Sequence, residues 1–220
     1  MSVIKTIDMS NYSSSLDCVN AVLSAAFGVT VDNLNNPQIT ILGGFPAYVH
    51  YSTSNRSYSI SVSEDGKSFS DYLDLCTPKS SIVYCVAGDD YVSIWGSNNS
   101  NYKNAIIKIL DDTYLCANSS NIIKVDGTSF TTTRYDSNGC WPQEGDDSYV
   151  SGIVLPLFHV SGKKEQNFVT DRCYFVTRAG DFLTPGSEVT VGDETYIILT
   201  QGWNVLSSQS TGFNLAVKKV

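Results

Sequence analysis

Histidine is nearly absent from this 220-residue chain: His50 and His159 are the only two, and neither belongs to an HxH or HExxH arrangement. A histidine-rich metal site is thereby excluded. Charge is also scarce. Charged residues make up 16% of the chain, below the roughly 25% of an average soluble domain. The 14 Lys and Arg against 22 Asp and Glu leave a net charge of −8, and no basic patch is interleaved with aromatics. Binding to a phosphate backbone needs such a patch, so no nucleic-acid partner is expected. No apolar run approaches the ~18 residues of a membrane helix, and no membrane role is expected. The opening "MSVIKTIDMSNYSSSLD" has no apolar core after a basic stretch, so it does not read as a secretory signal.

Six cysteines (Cys18, Cys76, Cys85, Cys116, Cys140, Cys173) are scattered without CxxC spacing. They read as reduced, partly buried thiols rather than a disulfide framework. What remains abundant is serine, with much Asn, Thr and Tyr: a polar, weakly charged surface suited to β-structure. Such a composition without an export signal fits a particle protein made and assembled in the cytosol and released by lysis.

One stretch reads as helix. In "SSLDCVNAVLSAAFG", Leu16, Val19, Leu23 and Ala26/Phe27 fall on one face. Ser14 or Ser15 caps its start, Asp17 suits the N-terminal dipole, and Gly28 offers a stop. After Pro37 the signals are those of strands. "QITIL" precedes a Gly-Gly-Phe-Pro break, and Tyr58, Ile60 and Val62 alternate against serines up to the turn-forming Asp65-Gly66. Further runs are "SSIVYCVAGDDYVSIWGS", "KNAIIKIL", "NIIKVDGTSFTTTRY", "SGIVLPLFHV" and "RCYFVTRAGDFL", with turns expected at Asp126-Gly127 and Asn138-Gly139. "PGSEVTVGDETYIIL", residues 185–199, reads as a hairpin whose Gly192-Asp193 turn suits type II′. The expectation is an all-β sandwich or barrel with one N-terminal amphipathic helix, residues 1–220 forming one domain with a possible sub-boundary near 138–148.

No catalytic, cofactor-binding or metal-binding residue is predicted. The acidic pairs Asp89/Asp90, Asp111/Asp112 and Asp146/Asp147 read as turn residues, since neighbours in a strand point to opposite faces. The oxygens of "YDSNG" and "EGDDS" do not match the spacing of an EF-hand loop. Sequons at Asn11, Asn55, Asn98 and Asn118 are expected by chance in so Asn- and Ser-rich a chain. Trp141, before Pro142, is the tryptophan most suited to an exposed contact, on a glycan or a protein.

The segment "FLTPGSEVTVGDETYIILTQGWNVLSSQSTGFNLAVKK" resembles the C-terminal end of virion structural proteins of tailed bacteriophages. Gly192, Tyr196, Trp203, Phe213 and Ala216–Lys218 carry the likeness, and the "LPL" lead-in extends it over residues 139–220. The resemblance implies structure and assembly without catalysis, and therefore no enzyme. It implies a homo-oligomeric joint of the tail, neck or baseplate, in contact with copies of itself and with other virion proteins. The protein would then reside in the virion after assembly in the host cytoplasm. A capsid decoration protein and a receptor- or carbohydrate-binding module are the alternatives.

Overall fold

The computed structural model describes residues 4–54, 56–63, 65–75, 81–97, 104–117, 121–124, 129–133, 152–154, 157–160, 167–169, 171–177, 183–200 and 214–220, with backbone alone between 121 and 169 and at 175 and 177. The elements in chain order are β1 (Lys5–Asp8), α1 (Ser15–Phe27), β2 (Gln38–Ile41), β3 (Phe45–Ser52), β4 (Ser57–Val62) and β5 (Ser70–Asp74). There follow β6 (Ile82–Ala87), β7 (Tyr91–Gly96), β8 (Ala105–Leu110), β9 (Thr113–Cys116), β10 (Asn121–Lys124) and β11 (Ser129–Thr133). The last are β12 (Gly152–Val154), β13 (Leu157–Val160), β14 (Asn167–Val169), β15 (Tyr174–Thr177), β16 (Glu188–Val191), β17 (Glu194–Ile198) and β18 (Asn214–Lys218). The fold is all-β with one N-terminal helix, as expected from the sequence.

The strands form three antiparallel sheets. One has nine strands in the order β1-β6-β7-β8-β9-β10-β11-β13-β14; one has five, β12-β15-β18-β17-β16; one has four, β2-β3-β4-β5. The nine-stranded sheet is the middle layer. Val83, Cys85, Val92, Ile94, Ile106, Tyr114 and Cys116 on one face join α1 and the four-stranded sheet in a common core. The alternate residues, including Val86, Trp95, Ile107, Ile109 and Leu115, pack against Ile197, Leu199, Leu215 and Val217 of the five-stranded sheet region. This sandwiching explains why β7 is buried at five consecutive positions rather than at every second one.

Helix α1 follows its local signals. Ser14 is the N-cap and accepts the Asp17 N–H at 3.1 Å, while its own hydroxyl donates to the Asp17 carboxylate at 2.7 Å. Gly28 closes the helix with φ of 69°, a conformation that suits glycine. The buried stripe is Cys18, Val19, Val22, Leu23 and Ala26, so Leu16 and Phe27 lie at its margin rather than its centre. The reason is that the helix drops into the angle between two sheets and buries more than one line of residues.

Three readings need correction. Phe45 and Pro46 do not break the chain; they begin β3, with Pro46 opposite Thr40 beyond the end of β4, where no ladder bond needs its missing N–H. "SGIVLPLFHV" is not one run but two strands in different sheets, β12 paired with β15 and β13 with β11. Asp65-Gly66 sits inside a seven-residue connection from β4 to β5, residues 63–69, rather than a two-residue hairpin loop. The Asp126-Gly127 and Asn138-Gly139 turns and the 138–148 boundary lie outside the described residues, although β11 and β13 on either side of the latter share one sheet.

Candidate functional site

Strand alternation builds a polar face on the outside of the four-stranded sheet. β3 buries Ala47 and Val49 and turns Tyr48, His50 and Ser52 outward. Opposite residues of paired strands share a face, and the register sets Ser61 against Tyr48, Ser59 against His50 and Ser57 against Ser52. On the far side of β4 the pairing shifts between Ile60 and Ser61, so that Ser59 faces Asp74 and Ser61 faces Asp71. Tyr72 is the extra residue of this bulge, and it brings two carboxylates three positions apart onto the same face.

Phe69, just before β5, covers that face. Its ring stacks on His50 with centroids 4.1 Å apart and planes at 16°, and meets Tyr48 edge-on at 5.6 Å. Since β4 lies between β5 and β3, the phenyl reaches these rings only by passing over β4, where serine side chains leave it room. Ser57, Ser59 and Ser61 are 4%, 0% and 0% exposed although they point away from the core. Ser61 donates to the Asp71 carboxylate at 2.7 Å. The Ser57 and Ser59 hydroxyls have no partner, an uncommon and costly state for buried hydroxyls.

At the rim, Asn36 adopts a left-handed conformation, φ 52°, and its Oδ1 lies 2.9 Å from His50 Nδ1. An amide oxygen only accepts, so Nδ1 carries a proton in this contact. Asn36, His50 and Ser59 thus stand in a row. Ser59 does not have the geometry of a nucleophile: it is fully buried, it makes no bond to His50, and its strand commits its backbone N–H groups to the ladder.

The residues weighed from the sequence are dispersed. Asp89 and Asp90 occupy the β6–β7 turn, where the Asp90 C=O accepts the Lys108 N–H at 2.7 Å. Asp111 and Asp112 form the β8–β9 turn; Asp111 pairs with Arg172 at 2.8 Å and Asp112 accepts the Thr113 hydroxyl at 2.8 Å. His159 lies in β13. No cluster of three His, Cys, Asp or Glu capable of holding a metal occurs among the described residues. Cys18, Cys85, Cys116 and Cys173 are buried free thiols, and burial raises the Cys85 pKa to about 12. Trp95 is buried and stacks on Tyr84 at 5.7 Å. Trp141, Trp203, Phe213, Cys76, Cys140, Asp146/Asp147, "YDSNG", "EGDDS" and the sequons at Asn55, Asn98 and Asn118 lie outside the described residues.

A concavity of about 450 Å³ opens at the C-terminal end of α1 between Gly28, Leu42, Gly43, Gly88 and Asp89. Lys5 reaches into this end and donates to the Ala25 C=O at 2.7 Å, satisfying one of the carbonyls a helix end leaves open.

Of the residues carrying the C-terminal resemblance, Gly192, Tyr196 and Ala216–Lys218 come together in the five-stranded sheet. Gly192 (φ 61°) and Asp193 make a two-residue turn closed by Val191 and Glu194, and Asp193 has no positive φ, as type II′ requires. Tyr196 stands opposite Lys218, and both flank Glu194, whose carboxylate accepts from the Tyr196 hydroxyl and the Lys218 ammonium. That carboxyl is held below its ordinary pKa, first by Lys218 and then by Tyr196.

The class this defines is an all-β protein of layered sheets with one N-terminal helix. Comparison with family models, curated proteins and solved structures finds no match to the chain. No helix among the described residues is long and apolar enough to cross a membrane.

Proposed function

We propose that the protein is a structural component of a tailed-phage particle, a homo-oligomeric joint of the tail, neck or baseplate that works by assembly. The C-terminal resemblance supports the setting. The observation that carries the assembly reading is the open edge at β2.

Strand β2 is the outer strand of the four-stranded sheet. The Gly44 N–H donates to the Ile41 C=O and the Val49 N–H to the Pro37 C=O, which fixes the alternation of the ladder. In that alternation the N–H and C=O groups of Gln38 and Thr40 point away from β3. The strand "QITI" is short, four residues, but holds no charge, no internal proline and no bulge, three of the devices that keep edges from pairing with other chains. Its Ile39 and Ile41 anchor it in the core, while Gln38 and Thr40 are exposed. A neighbouring strand adds to such an edge by backbone hydrogen bonding, and a contact repeated around an axis closes into a ring. A capsid decoration protein would use the same edge on a lattice.

The experiment is the solution mass of the purified protein by light scattering over a range of concentrations. A closed oligomer, or a mass that rises reversibly with concentration, supports the joint. A monomer throughout overturns it.

A further inference from the structure

Among the strands that end a sheet, β2 differs from the rest. β1 carries Lys5 and Asp8, and β16 carries Glu188, charges of the kind that keep an edge from pairing with another chain. β5 carries the extra residue of the bulge, and its end is tied to Asn104. β12 and β14 are three residues long. β2 is uncharged and has four residues.

The backbone of β2 is also laid out symmetrically. Asn36 (φ 52°) and Leu42 (φ 46°) turn left-handed at equal distances before and after Ile39, and the strand lies between them. The residues whose N–H and C=O groups point away from β3, Gln38 and Thr40, stand on either side of Ile39. A strand with this layout is complementary to itself run in the opposite direction. With Ile39 facing Ile39 of a second copy, Gln38 faces Thr40 of that copy and Thr40 faces its Gln38. Each of these pairs exchanges both of its N–H···O=C bonds, and no outward group of Gln38 or Thr40 is left over. On the exposed face the Gln38 amide then stands beside a Thr40 hydroxyl in both pairs, uncharged partners that can hydrogen-bond.

Charge disfavours a different edge as the partner. Against β1 or β16, β2 would meet a lysine or a carboxylate and offer no counter-charge. We infer that the strand that adds to β2 is β2 of a second copy, antiparallel, about a two-fold axis that passes beside Ile39. The contact is isologous, so it closes at two copies and joins two four-stranded sheets into one continuous sheet. This pairing rests on the β2 joint proposed above and fixes its partner, register and symmetry.

The test is sedimentation-velocity ultracentrifugation of the intact chain and two double variants over a range of concentrations. Gln38→Lys with Thr40→Lys sets like charges opposite each other in both pairs. Gln38→Lys with Thr40→Glu alters the same positions and sets opposite charges there. Both side chains are exposed, and circular dichroism checks that each variant is folded. The expected wild-type species is a dimer. The like-charge variant dimerises about tenfold more weakly than the opposite-charge variant. Repulsion between whole chains predicts the reverse order, since the like-charge variant reduces the net charge of −8 and the other leaves it unchanged. A species of three or more copies that both variants break up overturns the two-fold pairing and leaves the β2 joint standing. Equal weakening of a dimer by both variants overturns the register. A dimer that neither variant weakens overturns the pairing, and a wild-type monomer at every concentration overturns the joint with it.

Discussion

The side-chain amide of Asn104 grips the backbone of Asp74 from both sides. The Asp74 N–H donates to Asn104 Oδ1 at 2.8 Å, and Asn104 Nδ2 donates to the Asp74 C=O. The same Nδ2 donates to the Ile94 C=O at 2.9 Å, and the Ile94 N–H returns to the Asn104 C=O at 3.0 Å. Asn104 is 1% exposed. One side chain thus ties the end of β5 to β7 and holds the four-stranded sheet, with its aromatic face, onto the middle layer.

Asn104→Ala removes the partners of the Asp74 N–H and C=O at a part-buried site. We expect a loss of about 3 kcal/mol of unfolding free energy, the scale of two buried groups left unpaired. Urea denaturation followed by circular dichroism reads it directly. A loss of a few tenths would show that water replaces the amide.

Ser93 makes the corresponding tie to the other layer, its hydroxyl donating to the Leu199 C=O at 2.6 Å across the inner core. Ser93→Ala costs about 1 kcal/mol, less than Asn104→Ala, because one hydrogen bond is lost and the carbonyl has two lone pairs. The two urea midpoints, compared in one experiment, rank these contacts.

Tyr196 gives the fold an alkaline limit. Burial, and then the Glu194 carboxylate that accepts its hydroxyl, push its pKa up to about 12. An unfolded tyrosine titrates near 10, so between these values the unfolded chain holds fewer protons than the folded one. Stability from this group is whole below pH ~10 and is lost as pH rises toward ~12. The melting temperature should fall over that window, and Tyr196→Phe should flatten the fall. An identical alkaline profile in the variant would assign the limit to other groups.

Glu194 acts at the acid end with the opposite sign. Its folded pKa lies below the ordinary glutamate value, so its contribution is present above that value and is lost as pH falls through the depressed one. The group is exposed, and the effect is small and screened by salt. Glu194→Gln should remove a salt-sensitive part of the acid dependence of the melting temperature.

The buried thiols predict a kinetic signature. Cys85, Cys116 and Cys173 are 0% exposed, and burial raises the pKa of each. Native protein should leave these three unlabelled by iodoacetamide, as read by peptide mass spectrometry, and label them on unfolding. Thiolate is the reacting form, so both burial and the raised pKa act in one direction.

Local signals were sufficient where one residue type decides the backbone. Ser14, Asp17 and Gly28 marked the helix, and Gly192-Asp193 marked the hairpin, because caps and two-residue turns are chosen by side chains close in sequence. Alternation located most strands but misled about faces. Ser57, Ser59 and Ser61 alternate with apolar residues as a solvent face does, yet all three are buried. No local pattern announces a ring that crosses a whole strand. The split of "SGIVLPLFHV" between two sheets was equally hidden, since periodicity does not encode partners. The aromatic site went unread for the same reason: its members, Asn36, Tyr48, His50, Phe69 and Asp71, meet only through the register and a bulge. The signal that was present is the combination of a serine-rich central strand with flanking aromatics.

Assembly through the edge of β2 is tested most directly by light scattering of the intact chain beside its Thr40→Pro variant over the same concentrations. Proline at position 40 removes an N–H that points away from β3 and spares the bonds within the sheet. The expected result is an oligomeric mass for the wild type and a monomer mass for the variant, with matching circular dichroism spectra. A wild-type monomer at every concentration, or an oligomer unchanged by Thr40→Pro, would contradict it.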